Sequence, residues 1–325
     1  MKSGMADDRT GRTQTESSKS DDPLALARSF CERVPHSRDL GIVIAPADGP
    51  QVCMHLAPQP HLMDEASPAA ICSSVLYSLA DCAAGLAVLA ATRTLTPIAT
   101  LDLRMNYLRL ASGGRAMRVS AECGAVTDDV AFVRCLVHAE GCPDPVATGD
   151  ATFMRGTHGR QFDAESLSES PPGPLPNPAS QASRVSTPAR SYSQHLGLEV
   201  LTGKDVTKLR LPYRDALVGN ALIPALHGGV VGGLIEEAAR VAARANLRGT
   251  PALRVLNCNV DYHRPARPMD TYASVEIARR TRRTMLANVV CWQSEDRSPV
   301  AIGRVQILLQ ASATGADQTV AGALA

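Results

Sequence analysis

The sequence predicts an α+β protein built from two similar domains. One pattern occurs twice: SSVLYSLADCAAGLAVLA contains Asp81, and GGVVGGLIEEAARVAARA contains Glu236 at the equivalent position, 155 residues on (236 minus 81). The same separation pairs Tyr107 with Tyr262, and a match over about 50 residues indicates duplication. Each copy also combines one long apolar segment of helical spacing with several alternating segments, and so apolar a helix needs a sheet around it to bury its surface.

The first copy predicts a helix, a hairpin, a long helix and then strands. Residues 1–21 are polar and charged, which predicts a disordered tail. Residues 23–31 have the spacing of a short amphipathic helix, and LGIVIAP and QVCMHLAP flank an ADGP turn as in a hairpin. Residues 73–92 contain no proline and predict a helix of about five turns. Strands are predicted in ATLDLRMNYLR, RAMRVSAECGAV, AFVRCLVHAE and PVATGDATFM.

The second copy repeats this order after a change in composition. Residues 156–190 are rich in Pro, Ser and Gly and predict a linker. Strands follow in LGLEVLTGKDVTKLRLP, then a helix over 227–245 and strands over 252–309. The predicted domains are therefore 22–155 and 191–312, with a disordered tail at 313–325.

Composition favours a cytoplasmic protein that binds neither nucleic acid nor membrane. The net charge is +1, which gives no field to attract an anionic polymer or surface, and only 3% of residues are aromatic. No apolar stretch approaches the roughly 20 residues of a membrane span. The nine cysteines form no C-x-x-C pair, and the histidines lack metal-ligand spacing. GGVVGG does not fit a dinucleotide motif, so no cofactor is predicted.

The second copy, LVGNALIPALHGGVVGGLIEEAARVA followed by LNCNVDYHRPARPMDTYASVEI, resembles the hotdog-fold acyl-CoA thioesterases of the phenylacetate-degradation type. LYSLADCAAGLAV and TLDLRMNYLRLASGGRAMRVSAE carry the resemblance in the first copy. It implies two hotdog domains in one chain, each an antiparallel sheet wrapped around a long central helix, with the two helices side by side. Exposed sheet edges suggest further pairing into a homodimer of double-hotdog chains.

The resemblance implies an active site between the paired domains, assembled from both copies. In the family, a His-Gly-Gly helix start on one copy faces an acidic residue on the helix of the other. Carried over residue by residue, Asn220, His227 and Gly228 come from the second copy, whereas Asp81 and Thr100 come from the first. These five residues predict one competent seam.

The opposite seam is predicted to be degenerate. It would hold Ser73 after Cys72, where the other seam has the His-Gly pair, together with Glu236 and Val255. The valine replaces the threonine hydroxyl. A structural or solvated pair of Glu236 with its neighbour Glu237 is favoured over a catalytic role.

In the competent seam, the N–H groups at the helix start would polarise a thioester carbonyl, with Gly228 leaving room for close approach. Asp81 would act as general base on water or attack directly. Thr100 would orient the water and Asn220 would brace the carbonyl or the loop. Alternatively, Asp81 and His227 are structural polar groups at a packed seam, and strand packing accounts for the threonine.

These residues predict hydrolysis of acyl-CoA thioesters to free acid and coenzyme A. The alternative is a non-catalytic protein that binds acyl-CoA or an aromatic ligand, and a hotdog dehydratase or hydratase is a weaker third hypothesis. Met63, Met105 and Tyr107 are expected to line the seam, which would suit a medium-chain or aromatic acyl group. Arginines of the second copy, from Arg264 to Arg283, would contact coenzyme A phosphates or, more simply, form a solvated face.

Overall fold

The computed structural model of the chain describes residues 23–46, 51–94, 96–157, 191–201, 207–220, 225–247, 252–294 and 297–310. The predicted tails at 1–21 and 313–325, and nearly all of the predicted linker at 156–190, lie outside these ranges. The domain boundaries therefore remain predictions.

Five helices and sixteen strands make up the described fold. The helices are α1 (Pro23–Arg33), α2 (Pro35–Leu40), α3 (Ser73–Thr92), α4 (Tyr192–Leu196) and α5 (Gly228–Ala245). The strands of the first copy are β1 (Ile42–Ala45), β2 (Val52–Leu56), β3 (Ala70–Ile71), β4 (Ile98–Tyr107), β5 (Ala111–Ser112), β6 (Met117–Val126), β7 (Val130–Ala139) and β8 (Pro145–Arg155). Those of the second are β9 (Glu199–Leu201), β10 (Thr207–Leu211), β11 (Val218–Asn220), β12 (Ala225–Leu226), β13 (Ala252–Tyr262), β14 (Thr271–Arg280), β15 (Thr284–Trp292) and β16 (Pro299–Gln310).

The two copies share one antiparallel sheet of twelve strands. Its order is β1-β2-β6-β7-β8-β4 followed by β13-β16-β15-β14-β10-β9, so the second half mirrors the first. The halves join where β4 pairs antiparallel with β13, with Met105 opposite Cys258 and Asp102 opposite Asp261. The repeat in the sequence is thus a repeat of topology, with a pseudo-twofold axis between the central strands.

The central helices α3 and α5 pack side by side on one face of this sheet, each against strands of its own copy. The two helices can approach closely because α5 has Gly232 at the position where α3 has the large side chain of Tyr77. A Cβ on Gly232 would lie 2.3 Å from Cε1 of Tyr77, so only a glycine admits that ring. The expectation that the two hotdog helices lie together is confirmed, and Gly232 is the glycine that lets them approach.

Most predicted elements form, and the discrepancies are short ones. The helix over 73–92 and the hairpin of β1 and β2 are confirmed, although residues 47–50 of the turn lie outside the described ranges. The sequence reading missed α2 and α4. Each has only five or six residues and ends at a glycine with positive φ, at Gly41 and Gly197, so both are shorter than the roughly 11 residues over which a helical pattern can be recognised.

Within the described residues, one helix is long and apolar enough to span a membrane by length and composition, so the expectation that no apolar stretch approaches that length is wrong. It is α3, and 78% of its most apolar window is buried inside the fold. Its apolar surface is therefore covered by the sheet and by α5, as expected of a core helix.

Candidate active site

Asp81 lies in the middle of α3 and points at the N-terminus of α5. Its side chain is buried, with 5% of the residue exposed. Oδ2 accepts a hydrogen bond from the Gly229 N–H at 2.7 Å, and Oδ1 accepts one from the Thr100 hydroxyl at 3.1 Å. N–H groups at a helix start are good partners for a carboxylate, so the Asp81 side chain has hydrogen-bond partners although it is buried.

His227 is the N-cap of α5 and contacts the same carboxylate. Its Nδ1 lies 3.1 Å from Oδ2 of Asp81, and its Nε2 lies 3.3 Å from Sγ of Cys82. Burial lowers the pKa of His227, but the charges of Cys82 and Asp81 and the hydrogen bonds to them outweigh it and raise the pKa to about 10. The imidazole is therefore able to carry a proton beside the carboxylate.

The structure describes the side chain of Thr100 but only the backbone of Asn220. Thr100 lies on β4 and donates to Asp81 as described, so it joins the predicted group. The backbone of Asn220 ends strand β11 and pairs with Ala225, next to the start of α5. The Asn220 side chain lies outside the described part of the chain, and its role remains a prediction.

A cavity of about 760 Å³ opens over these residues, and Asp81, Thr100, His227 and Gly228 all line it. Its remaining wall is mainly apolar and comes from α1, α3 and the strands; the residues include Phe30, Val34, Leu86, Leu89, Ile98 and Phe153. The predicted lining by Met63, Met105 and Tyr107 is wrong for this seam. Met105 packs fully buried beneath Gly149, because the side chains of β4 alternate between the two faces of the sheet.

Gly228 brings the backbone of α5 into contact with Asp81. The Gly228 N–H is the first of the helix, and among the described residues it has no hydrogen-bond partner. A Cβ at this position would lie 2.7 Å from Oδ2 of Asp81. The glycine therefore keeps the helix-start N–H and the carboxylate within one small volume.

Gly228→Ala is expected to lower kcat for thioester hydrolysis by about 100-fold, because the new methyl group would displace the carboxylate by a fraction of an ångström to an ångström. Gly233→Ala is the matched control on the same helix, since a Cβ there meets only ordinary contacts of 3.5 Å or more. Thiol release and the melting temperature are measured for both. Equal activity in the two variants would contradict a role for Gly228.

The second seam is closed by a buried network of charges. Glu236 is fully buried; Ser73 donates to its Oε1 and the Tyr107 hydroxyl to its Oε2, the latter at 2.8 Å. Burial raises the pKa of Glu236, although Arg240, 3.2 Å away, favours the ionised form. Glu237 is buried too and accepts from Cys72 and Ser74. Both carboxylates are buried, so the alternative of a solvated pair is wrong, and a structural role remains the prediction.

Arg240 explains why this seam has no large cavity. It binds Asp64, Glu236 and Glu237 together, and the space left beside it and Val255 is only about 80 Å³. Its counterpart at the 155-residue separation is Gly85, which lines the large cavity. The long side chain of Arg240 therefore occupies space in the second seam, whereas Gly85 leaves the equivalent space open in the first.

Sequence reasoning missed Arg240, Cys82 and Tyr262. The Tyr262 hydroxyl donates to the Gly228 carbonyl at 2.7 Å and so holds the start of α5. The repeat contained a signal for the arginine, since the pairing of Gly85 with Arg240 is visible in the alignment of the copies. Of the second-copy arginines considered for coenzyme A, Arg264 alone among the described residues lines the cavity, and its guanidinium binds the carbonyls of Ser298 and Pro299.

Comparison with known proteins matches both copies to one protein family. Residues 73–146 and 224–300 match the family model described as thioesterase superfamily. No curated protein matches the sequence. Among solved structures, the tesB protein of Mycobacterium avium subspecies paratuberculosis is 11% identical, with a TM-score of 0.54, and the match covers 88% of this chain and 99% of that one.

Two further solved structures are similar along most of the chain. A protein provisionally assigned as an oleoyl thioesterase from Lactobacillus plantarum is 8% identical over 80% of this chain and 96% of that one, with a TM-score of 0.54. A hotdog-fold protein of unknown function from Alicyclobacillus acidocaldarius is 13% identical over 85% and 98%, with a TM-score of 0.51. At these identities the structures show the fold alone, and the family comes from the two matched segments. The chain therefore carries two hotdog domains of the thioesterase superfamily, a membership that supports thioester hydrolysis as its general reaction.

Proposed function

We propose that the chain hydrolyses acyl-CoA thioesters at the seam between Asp81 and the start of α5. The observation that carries this proposal is a buried carboxylate beside the helix-start N–H of Gly228, which has no partner among the described residues, in a cavity of about 760 Å³. A carboxylate in an apolar seam costs desolvation energy, which a protein that only binds its ligand has no reason to spend. The second seam lacks the cavity, so one seam per chain works.

The thioester carbonyl oxygen would take the Gly228 N–H, where the helix dipole and the open backbone stabilise the developing negative charge. One such donor contributes roughly 3–4 kcal/mol in comparable sites. Asp81 would accept the proton of the attacking water, or attack directly as the sequence analysis allowed. Thr100 fixes the carboxylate through Oδ1. Asp81 thus acts from one helix on a carbonyl held by the other.

The acyl group would occupy the arm of the cavity lined by Phe30, Leu86, Leu89 and Phe153. This lining favours an uncharged aliphatic or aromatic acyl group. The coenzyme A part would extend past Arg155 and Arg264 at the cavity wall. Assembly into a homodimer and residence in the cytoplasm remain part of the proposal.

Thr100→Val tests the proposed seam. The variant removes the hydroxyl that holds Oδ1 of Asp81 while keeping the shape of the side chain. A hydrogen bond to a charged group contributes about 1.5–3 kcal/mol, so kcat is expected to fall by about tenfold or more. Hydrolysis is followed by thiol release from a panel of short, medium and aromatic acyl-CoA substrates.

Val255→Thr is the matched control, because it places a hydroxyl at the equivalent position of the second seam. Its activity per folded molecule is expected to equal that of the wild type. Equal loss in both variants would mean that general stability and not the seam is being measured. Absence of turnover by the wild type on every thioester, with coenzyme A esters still bound, would favour the binding-protein alternative.

A further inference from the structure

Cys82, the residue after Asp81 on α3, completes a chain of reactive side chains. Its Sγ lies 3.3 Å from Nε2 of His227, and Nδ1 of the same ring lies 3.1 Å from Oδ2 of Asp81. Both Cys82 and His227 line the large cavity. A thiol, an imidazole next to it and a carboxylate that orients the imidazole are the three parts of an activated nucleophile.

The hydrogen bonds around the His227 ring agree with the order thiol, imidazole, carboxylate. The Gly229 N–H lies 2.7 Å from Oδ2 of Asp81 and 3.0 Å from Nδ1 of His227. The carboxylate is the stronger acceptor because it is charged. The Gly229 donor therefore binds the carboxylate, and Nδ1 is left to carry a hydrogen toward Oδ2. With Nδ1 directed at the carboxylate, Nε2 faces the thiol and shares its proton.

The Cys82 sulfur also contacts groups other than His227. The Ser37 hydroxyl lies 3.1 Å from Sγ and donates to it once the thiol proton points at Nε2. The neighbouring ring of His36 lies 5.0 Å from that of His227 between centroids. Burial, with the charge of His227 next, lowers the pKa of His36, so that ring stays neutral beside His227.

Cys31 provides an internal comparison. It lines the same cavity, but among the described residues no imidazole lies within hydrogen-bond distance of its thiol. Burial raises the pKa of Cys31, which keeps it protonated. The second seam provides another, since the counterpart of Cys82 at the 155-residue separation is Glu237. The arrangement of thiol, imidazole and carboxylate is therefore found at Cys82 and not at Cys31, and in the seam with the large cavity and not in the second seam.

We propose that Cys82 is the first nucleophile, so that hydrolysis passes through an acyl group bound to its sulfur. This inference rests on the proposed function, because it uses the same seam and the same substrate. The thiol proton moves to Nε2 of His227 as Sγ bonds to the acyl carbon, and the oxyanion takes the Gly228 N–H. The bond to the coenzyme A sulfur then breaks, and His227 returns the proton to that leaving thiolate.

The second step is attack by water on the acyl group of Cys82. Its proton passes to the His227–Asp81 pair, the new carbon–sulfur bond breaks, and the proton returns to Sγ. The sum is acyl-CoA plus water giving the acid and free coenzyme A, with no other reactant needed. Asp81 thus keeps its role in water activation and also orients the histidine.

The test traps the intermediate in the full chain. Protein mixed with a saturating acyl-CoA thioester is quenched in acid within the first turnover and analysed by intact and peptide mass. The acyl mass is expected on Cys82, and coenzyme A should appear in a burst of about one equivalent per chain. Cys82→Ala should abolish the adduct and lower kcat at least about 100-fold, whereas Cys123→Ser, at a free cysteine outside the cavity lining, keeps both adduct and burst.

A second readout is independent of turnover. Iodoacetamide should alkylate Cys82 at least tenfold faster than Cys31, and His227→Gln should remove this difference. Melting temperatures verify that each variant is folded. Wild-type kcat in Cys82→Ala, or equal alkylation of the two thiols, would overturn the inference while leaving the proposed hydrolysis standing. Failure of the wild type to turn over any thioester would instead remove the proposed function.

Discussion

Asp81→Asn is expected to lower kcat for acyl-CoA hydrolysis by about 10²–10⁴-fold, the range found when a general base is removed. The amide keeps the shape of the side chain and one oxygen acceptor, but it cannot take a proton. It also presents an N–H₂ group to one of the two donors that the carboxylate now accepts from, Gly229 and Thr100. Thiol release at saturating substrate measures the effect.

Glu236→Gln is the matched control, because Glu236 holds the equivalent position on the other helix. Activity per folded molecule should stay near the wild-type value, since Glu236 faces Arg240, Ser73 and Tyr107 in a seam without a large cavity. Loss of activity in Glu236→Gln alone would mean that the assignment of the two seams is reversed. Comparable loss in both would mean that both seams work.

The repeat made the fold and the pairing of the helices predictable. Because the pattern around Asp81 recurs around Glu236 without gaps, both copies had to form the same element, and their apolar helices needed a common partner. Positions read from the resemblance also came together in space: Thr100 and the start of α5 lie at the Asp81 carboxylate. Short polar elements such as α2 were missed because they bury few apolar groups.

Side-chain volumes and directions were much less accessible from the sequence. Whether a seam is open depends on where a long side chain extends, and only packing shows that Arg240 fills the space that Gly85 leaves empty. The same applies to Cys82, which composition presented as one of nine reduced cysteines. Its contact with His227 links two helices 145 residues apart, and no local pattern records such a contact.

Arg240→Ala is expected to lower the free energy of unfolding by about 3–5 kcal/mol, which is typical when one partner of a buried ion pair is removed. The guanidinium is buried and binds three carboxylates, those of Asp64, Glu236 and Glu237. Without it, three buried acids face one another with no opposite charge. Urea unfolding of wild type and variant measures the loss.

Arg210→Ala is the comparison, because Arg210 also binds two carboxylates, those of Glu199 and Asp270, but on the surface. Solvent screens such pairs, so its loss should be much smaller. Equal losses in the two variants would contradict a special role for the buried arginine.

The pH dependence of the Arg240→Ala deficit separates lost charge balance from lost packing. Burial already raises the pKa of Glu236 in the wild type, and removing the guanidinium would raise it further above the unfolded value of about 4.3. A group with a raised folded pKa binds more protons folded than unfolded, so stability falls as pH rises through that window. The deficit should therefore widen as pH rises from the unfolded value to the folded pKa, stay at its full size above that pKa, and shrink as pH is lowered toward the unfolded value. A deficit independent of pH would mean that Arg240 acts mainly by filling the seam, because an empty space costs the same whether its acids are protonated or not.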